Sequence, residues 1–496
     1  MKCSVKDSIT RVDFHKKLIM LAVKLLHFLL SVVLFAIAWL QFRYNGVVDT
    51  ADPGFRYNVF IVLFYGVAEF FLLRTYNSYL LGYSKIRTLI SAQILSQFFV
   101  AVFLYIIVSV AWNRFRGPLV FLLLLAVQAV VDVIWCFMAN AVYFQIYPQK
   151  KTVLIYREPR DKIRFGSIKG KPMEQLYRIT NEIMFDGTFR ELEPMLEGYD
   201  AVFVAGVNSR CRNGILKYCK EKNVPGFFLP HIGDTIMQDA KHIRSFDSPV
   251  LYVERKVLDP EYAFIKRAFD IVSSLLGLIV CSPVMLITAI AIKAYDKGPV
   301  LYKQVRLTKD GREFKILKFR SMRVDAEKDG VARLSTGKQD DRITPIGRWI
   351  RSCRVDELPQ LINILKGDMS VVGPRPERPE IAEQYYRTMP DFRLRLQVKA
   401  GLTGYAQIYG KYNTDPYEKL EFDLLYINNM NPLNDLRMIL ATFSILFSPE
   451  STEGVGAGQM TALDYEGPAD GENVEDKTES KAEAADADGN AMFGCR

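Results

Sequence analysis

The segment Arg351-Ser-Cys-Arg-Val-Asp356-Glu357-Leu-Pro-Gln360 sets two adjacent carboxylates among arginines, and Gly373-Pro-Arg375-Pro-Glu377 follows after a short helix-like run. All four histidines, His15, His27, His231 and His242, come earlier in the chain. Chemistry in this half therefore falls to carboxylates, arginines, lysines and a hard cation. A carboxylate pair beside arginines is in most proteins a structural salt-bridge network. Here Lys318 and Arg320 stand nearby in Lys315-Ile-Leu-Lys-Phe-Arg-Ser-Met322, and the prolines on both sides of Arg375 fix the backbone that presents its fork of donors. That set suits phosphate. A diphosphate repels an attacking anion, and a divalent cation held by carboxylate and phosphate oxygens, magnesium being the usual choice, would offset the repulsion. An aspartate can then attack phosphorus, giving an acyl phosphate that a second substrate resolves.

The elements that must carry this site begin in an apolar half. Four segments, approximately Leu18 to Phe42, Phe55 to Leu73, Leu89 to Trp112 and Pro118 to Tyr147, each reach the roughly 20 residues needed to cross a bilayer as a helix. The first is too long, and its lead too weakly signal-like, for a cleaved signal peptide. Basic residues precede the first span (Lys2, Lys6, Arg11, Lys16, Lys17), separate the second from the third (Arg74, Lys85, Arg87) and follow the fourth (Lys150, Lys151). They outnumber Arg43, Arg56, Arg114 and Arg116 on the opposite side, so both ends of the bundle are expected in the cytoplasm. Glu69 and Asp132, inside spans, are read as helix–helix contacts rather than a polar path.

From Lys151 to about Arg255 strand-like runs at Thr152–Tyr156, Ala201–Ala205, Gly226–Leu229 and Val250–Val253 alternate with helical stretches such as Asn213 to Lys222. This predicts a small Rossmann-like parallel sheet. No GxGxxG follows its first strand and Gly166 to Gly170 is a poor phosphate turn, so regulation or oligomer contact is the expected role.

A further apolar run, residues 268–295, is long enough to span but carries Pro283 near its middle. The proline removes a backbone donor, and Ser282 can satisfy a freed carbonyl. Lys266 and Arg267 flank it on one side and Lys293, Lys297, Lys303 and Arg306 on the other. Basic flanks at both ends fit a re-entrant hairpin that returns to the same face. The stretches Ile343 to Cys353 and Leu433 to Phe447 mix apolar residues with arginine and suit either an interface or a core.

Net charge is +9, and the segment from residue 449 onward holds twelve acids against three bases, leaving the remainder at +18. Beside apolar spans a basic body points to anionic lipid and phosphorylated substrates. Nucleic acid is disfavoured because no stripe of stacking aromatics is interleaved with the bases. Seven scattered cysteines with no CxxC exclude a disulfide framework and a zinc site. The layout expected is a membrane α plus α/β protein: a four-helix transmembrane bundle (1–148), the Rossmann-like domain (149–255), a mainly helical domain (256–448) and a disordered acidic tail (449–496).

From about Lys266 to Phe447 the chain resembles the bacterial sugar transferases, monotopic phosphoglycosyl transferases that start exopolysaccharide and O-antigen assembly. The resemblance rests on Lys266-Arg-Ala-Phe-Asp270, Ser282-Pro283, Gly298-Pro-Val-Leu-Tyr302, Lys318-Phe-Arg-Ser-Met322, Asp356-Glu-Leu-Pro-Gln360, Leu365 to Glu377 and Lys399-Ala-Gly-Leu-Thr-Gly404. The four spans and α/β unit extend it, as in large members of the family. It implies transfer of a sugar-1-phosphate from a UDP-sugar to polyprenyl phosphate, undecaprenyl phosphate being the expected acceptor, with release of UMP, at the inner leaflet of the plasma membrane. Asp356 is implied as nucleophile, Glu357 as its partner in handling Mg2+, and Arg375 and Arg351 as phosphate contacts. Ser282 and Pro283 match the helix-breaking pair, and a homodimer through the central domain is implied by large relatives. Lys318 and Arg320 are further substrate-binding candidates, with a basic strand edge as the alternative. A membrane-anchored, nucleotide-sensing scaffold without catalysis is the competing reading.

Overall fold

The computed structural model describes residues 2–42, 54–111, 117–159, 161–162, 172–243, 250–323, 342–410 and 415–446. The acidic tail, Gly166 to Gly170, and Arg43, Arg114, Arg116 and Phe447 lie outside them. The chain divides into two compact units between Leu229 and Pro230.

The first unit opens with helices α1 (Lys2–Phe42), α2 (Gly54–Thr75), α3 (Ile86–Ala111) and α4 (Leu119–Ile146). Within them Phe14–Gln41, Phe55–Thr75, Ile86–Val110 and Leu119–Ile146 are long and apolar enough to cross a membrane. Leu26, Val67, Leu123 and Val130 face outward, whereas His27, Ser31, Glu69, Gln97, Gln128 and Asp132 are buried. Lipid as solvent dictates that arrangement, with apolar side chains outside and paired polar groups within. Glu69 accepts from Ser31 Oγ at 2.5 Å, and Asp132 Oδ1 lies 2.9 Å from His27 Nε2. Both acids are thus helix–helix contacts, as the sequence suggested.

A parallel sheet of order β2-β1-β3-β4 follows, built from β1 (Lys150–Tyr156), β2 (Tyr177–Met184), β3 (Ala201–Ala205) and β4 (Gly226–Phe228). Its central strands β1 and β3 carry the continuous apolar runs that two covered faces require. One face packs Val153, Ile155, Val202 and Val204 on Leu192, Leu196 and Ile215. The other packs Leu154 and Phe203 on Leu176 and Tyr177, with Phe203 and Phe227 stacked at 4.7 Å.

Two expectations for this domain need correction. Strand β2 was missed because it is an edge strand with mostly exposed polar positions, Arg178, Asn181 and Glu182 among them. The run at Val250–Val253 is a strand, β6 (Val250–Tyr252), but it pairs antiparallel with β5 (Lys241–Ile243) and is no part of the parallel sheet. Residues 230–255 belong with the second unit. There the backbone N–H of Ile232 donates to Tyr417 Oη at 3.1 Å, Asn428 Nδ2 donates to the Thr235 carbonyl at 2.6 Å, and Lys256 pairs with Asp239 at 2.8 Å.

The second unit hangs on one helix, Pro260–Asp296. Helical backbone continues through Pro283 instead of breaking into two helices joined by a turn. Pro283 leaves the Ile279 carbonyl without its N–H, and Ser282 Oγ donates to that carbonyl at 2.7 Å. An antiparallel hairpin, β7 (Leu301–Leu307) and β8 (Glu313–Phe319), follows. Then come helix Pro345–Ser352, a 3-10 turn at Val355–Glu357, helix Gln360–Lys366, and β9 (Ser370–Val372), which pairs in parallel with β10 (Gly401–Thr403). Helices Pro379–Thr388, Pro416–Asn428 and Pro432–Leu446 surround them. Phe314, Ile316, Ile364, Val372, Phe392, Leu420 and Leu424 share the core.

The start of the long helix is bolted to this core. Lys266 Nζ reaches Asp435 at 2.7 Å and the Val372 carbonyl at 3.1 Å, while Asp270 Oδ1 accepts from Ser370 Oγ at 3.0 Å and the Val371 N–H at 2.9 Å. Asp270→Ala would strand two buried donors, at a cost of about 1–3 kcal/mol. A lowered melting midpoint for Asp270→Ala in detergent, with a smaller loss for Asp270→Asn, which keeps an acceptor oxygen, is the expected outcome.

Candidate active site

The carboxylate pair sits in the tight turn between two helices. Helix Pro345–Ser352 starts at Thr344, whose hydroxyl accepts from the Gly347 N–H at 2.9 Å, and buries Ile350 while leaving Trp349 exposed. It ends before Arg354, which takes a left-handed backbone at φ +52°. A non-glycine residue held there costs about 1–2 kcal/mol, and it turns the chain into Val355–Glu357. With about three residues per 3-10 turn, neighbouring side chains diverge by about a third of a revolution. Asp356 and Glu357 therefore face different partners.

Glu357 faces cations. Its Oε1 lies 3.1 Å from Lys318 Nζ and 2.9 Å from Arg375 Nη2, and Arg354 Nη1 is 3.9 Å from Oε2. Burial pushes the Glu357 carboxyl up, but Lys318, Arg375 and Arg354 outweigh it and hold the group well below the usual carboxylate range. Burial also pushes Lys318 down, against the pull of Glu357. At 3.1 Å we take the pair as charged on both sides. Asp356 is buried too, and among the described residues it accepts no hydrogen bond and makes no ion pair. Burial and the adjacent Glu357 charge push it up to about 6, opposed by Lys318, Arg351 and Arg375. One acid is thus committed to cations and the other is left open.

Arg375 is aimed by a turn whose carbonyls are all occupied. The Pro374 oxygen accepts from Gly401 N–H at 2.8 Å, that of Arg375 from Arg395 Nη2 at 2.8 Å, that of Pro376 from Arg306 Nη1 at 3.0 Å, and that of Glu377 from Leu307 N–H at 3.0 Å. Arg395, almost fully buried, is itself held by Asp423 at 2.7 Å. Gly373 and Gly401 touch backbone to backbone, and a Cβ on Gly401 would meet Gly373 N at 2.1 Å, so only glycine lets β9 and β10 close under the turn.

Of the residues singled out in the sequence, Asp356, Glu357, Lys318 and Arg375 are brought together, with Arg351 close enough to act on Asp356. Arg320 is not among them; its buried guanidinium packs against Gly298, and its N–H donates to the Val300 carbonyl at 3.0 Å. Ser282 and Pro283 lie in the long helix. Sequence reasoning missed Asn363, whose side chain accepts from Leu317 N–H and donates to the Lys315 carbonyl, both at 2.9 Å, locking β8 and hence Lys318 to the helix after the dyad. It also missed Arg306 and Arg395 as supports of the turn. No spacing marks an arginine that grips a backbone carbonyl rather than a ligand. A cavity of about 970 Å³ is lined by Asp239, Lys256, Tyr386 and Arg393 and contains neither member of the dyad.

Glu357→Gln removes the negative partner of two cations. It should lower catalytic turnover by at least about 100-fold, corresponding to about 2.7 kcal/mol, while Arg375→Lys, which keeps charge but loses the fork, should fall between it and the parent. Initial rates on purified protein check both, and parental rates in Glu357→Gln would remove Glu357 from the site.

A family model described as bacterial sugar transferase matches residues 261–449. The chain is 36% identical over 238 residues to a UDP-N-acetylgalactosamine-undecaprenyl-phosphate N-acetylgalactosaminephosphotransferase of Aeromonas hydrophila, covering 47% of this chain and 55% of that relative. It is 46% identical over 182 residues to a UDP-glucose:undecaprenyl-phosphate glucose-1-phosphate transferase of Klebsiella pneumoniae, covering 36% and 39%. To the exopolysaccharide production protein PSS of Rhizobium leguminosarum bv. phaseoli it is 43% identical over 187 residues, 36% of this chain and 92% of that relative. The match thus spans about half or less of the larger relatives and nearly all of the small one. With the dyad, the Pro-Arg-Pro turn and the long helix all inside the matched region, the chain belongs to the bacterial sugar transferase family.

Proposed function

We propose that the protein moves a sugar-1-phosphate from a UDP-sugar to undecaprenyl phosphate at the cytoplasmic face of the plasma membrane, opening the synthesis of an exopolysaccharide, capsule or O-antigen. The observation that carries this reading is the asymmetric dyad: an open Asp356 carboxylate beside a Glu357 saturated by Lys318 and Arg375. The names of the Aeromonas and Klebsiella relatives support the substrate classes, and they differ in the sugar.

In this reading the Asp356 carboxylate attacks the sugar-bearing phosphorus of the donor. A bond forms from the carboxylate oxygen to that phosphorus, the bond from it to the bridging oxygen breaks, and UMP leaves with the electron pair. An oxygen of undecaprenyl phosphate then attacks the aspartyl-phosphosugar and returns Asp356 as a carboxylate. No net proton or redox change is needed. Arg375, with Arg351 nearby, holds phosphate oxygens, and Lys318 and Glu357 keep charge balanced around the attack. Among the described residues no three His, Cys, Asp or Glu side chains converge as a metal cage. One or two carboxylates plus substrate phosphates is nonetheless the usual Mg2+ environment; Lys318 and Arg375 occupy Glu357 Oε1, so its Oε2, 3.9 Å from Arg354, and the open Asp356 carboxylate would hold that ion, which would offset diphosphate charge.

The long helix completes the reading as a re-entrant membrane element. Asp270 near its start is held by Ser370, and Ile292 near its end packs with Phe319 and Ile350 of the same unit. A straight rod would put these residues about 33 Å apart, roughly the full hydrocarbon thickness. Between them Ile279, Val280, Leu286 and Ile287 are the exposed apolar stretch, centred on Pro283. In a cysteine-depleted background, Glu261→Cys and Lys297→Cys should both react with a membrane-impermeant thiol reagent only from the cytoplasmic side; labelling from opposite sides would mean a crossing helix.

The reaction is tested by incubating membranes with magnesium, undecaprenyl phosphate and a panel of UDP-sugars. Wild type should release UMP with at least one donor, and Asp356→Asn should be slower by about 1,000-fold or more. A quench before acceptor is added should leave the phosphosugar on the peptide containing Asp356. Persistent turnover in Asp356→Asn, or no UMP from folded wild type with any donor, overturns the assignment.

A further inference from the structure

Midway along all four N-terminal helices lies a hydrogen-bonded network that the transfer reaction does not use. His27 and Ser31 come from α1, Tyr65 and Glu69 from α2, Gln93 and Gln97 from α3, and Gln128, Asp132 and Cys136 from α4, with Tyr79 closing one end. Gln128 Nε2 donates to Tyr65 Oη at 2.8 Å and Ser31 Oγ at 2.9 Å; Gln97 Nε2 donates to Asp132 Oδ1 at 3.2 Å. His27 sits between Tyr79 at 3.0 Å and Asp132 at 2.9 Å.

The network is short of hydrogen. Among the described residues Glu69 Oε2, Gln97 Oε1 and Asp132 Oδ2 are wholly buried acceptors with no donor. Asp132 lies near enough to Glu69 for two ionised carboxyls there to repel each other. Flipping the Gln97 amide would turn an oxygen toward Asp132 Oδ1, so a flip does not remove the deficit. The charges do not close either. Among the described residues of this network His27 is the one side chain able to offset Glu69 and Asp132, and an uncompensated carboxylate in an apolar layer costs several kcal/mol.

We propose that the core of the helical bundle is a proton-binding site, with the proton carried on Glu69, whose Oε2 has no partner, while the neighbouring Asp132 is held by His27. One added hydrogen occupies the orphaned Glu69 oxygen and removes a buried negative charge together. A hard metal cation suits the site less well, since it takes about six or more oxygens and three stand open.

Infrared spectra of the full chain in lipid nanodiscs test the site through the C=O stretch of a protonated carboxyl. At pH 7.5 in choline chloride the proposal expects about one such group per chain, shifted by 13C-glutamate labelling, unmoved by 13C-aspartate labelling, and lost in Glu69→Gln. The isotope arms use wild type alone, so they decide the matter even if the variant does not fold. Absence of the band, a band that follows aspartate, or its loss when sodium replaces choline would each overturn the proposal, the last in favour of a metal cation.

Discussion

Two like charges on consecutive residues, partly out of water, would repel each other and any anionic substrate. The catalytic unit is organised around answering that problem. Glu357 is given over to Lys318 and Arg375, which neutralise it and are ordered by it in turn. Asp356 is thereby left as an acid with an open oxygen in a positive surrounding. Neither half of the arrangement works alone, because a half-buried Lys318 without Glu357 would be an unpaired charge, and Glu357 without its cations would drive Asp356 toward its protonated form.

Holding that balance requires geometry that side-chain pairs cannot supply by themselves. It comes from backbone. Four successive carbonyls of the Pro-Arg-Pro turn are each gripped by a separate donor, two of them from the arginines Arg306 and Arg395. Proline removes two N–H groups from the turn, so acceptors are what remain to anchor it, and arginine, with its planar fork, is the residue able to reach them. On the other side Asn363 stitches β8 to the helix behind the dyad, so Lys318 and Glu357 arrive together.

What could be read from the sequence follows from which forces leave a local trace. The bundle was legible because a span of about 20 apolar residues has few other uses, and the dyad and Arg375 because charged residues in fixed short spacings stand out against a basic background. The role of Ser282 was legible too, since a proline at 283 frees one particular carbonyl. Strand β2 was not, because an edge strand hides only alternate residues and Tyr177–Met184 reads as polar. The assignment of residues 230–255 depended on contacts such as Ile232 with Tyr417, about two hundred positions apart, which no local pattern records. Arg320 is a further case: nothing local in the sequence records that its buried guanidinium packs against Gly298.

Arg267 spends both ends of its guanidinium on the Ile364 and Leu365 carbonyls, at 2.7 Å each, closing the C-terminus of the helix that begins three residues after Glu357. The apolar rod and the reactive turn are therefore joined by a stiff linkage only one short helix long. Any tilt of that rod would carry the Asp356 turn with it, so the two are, mechanically, a single coordinate.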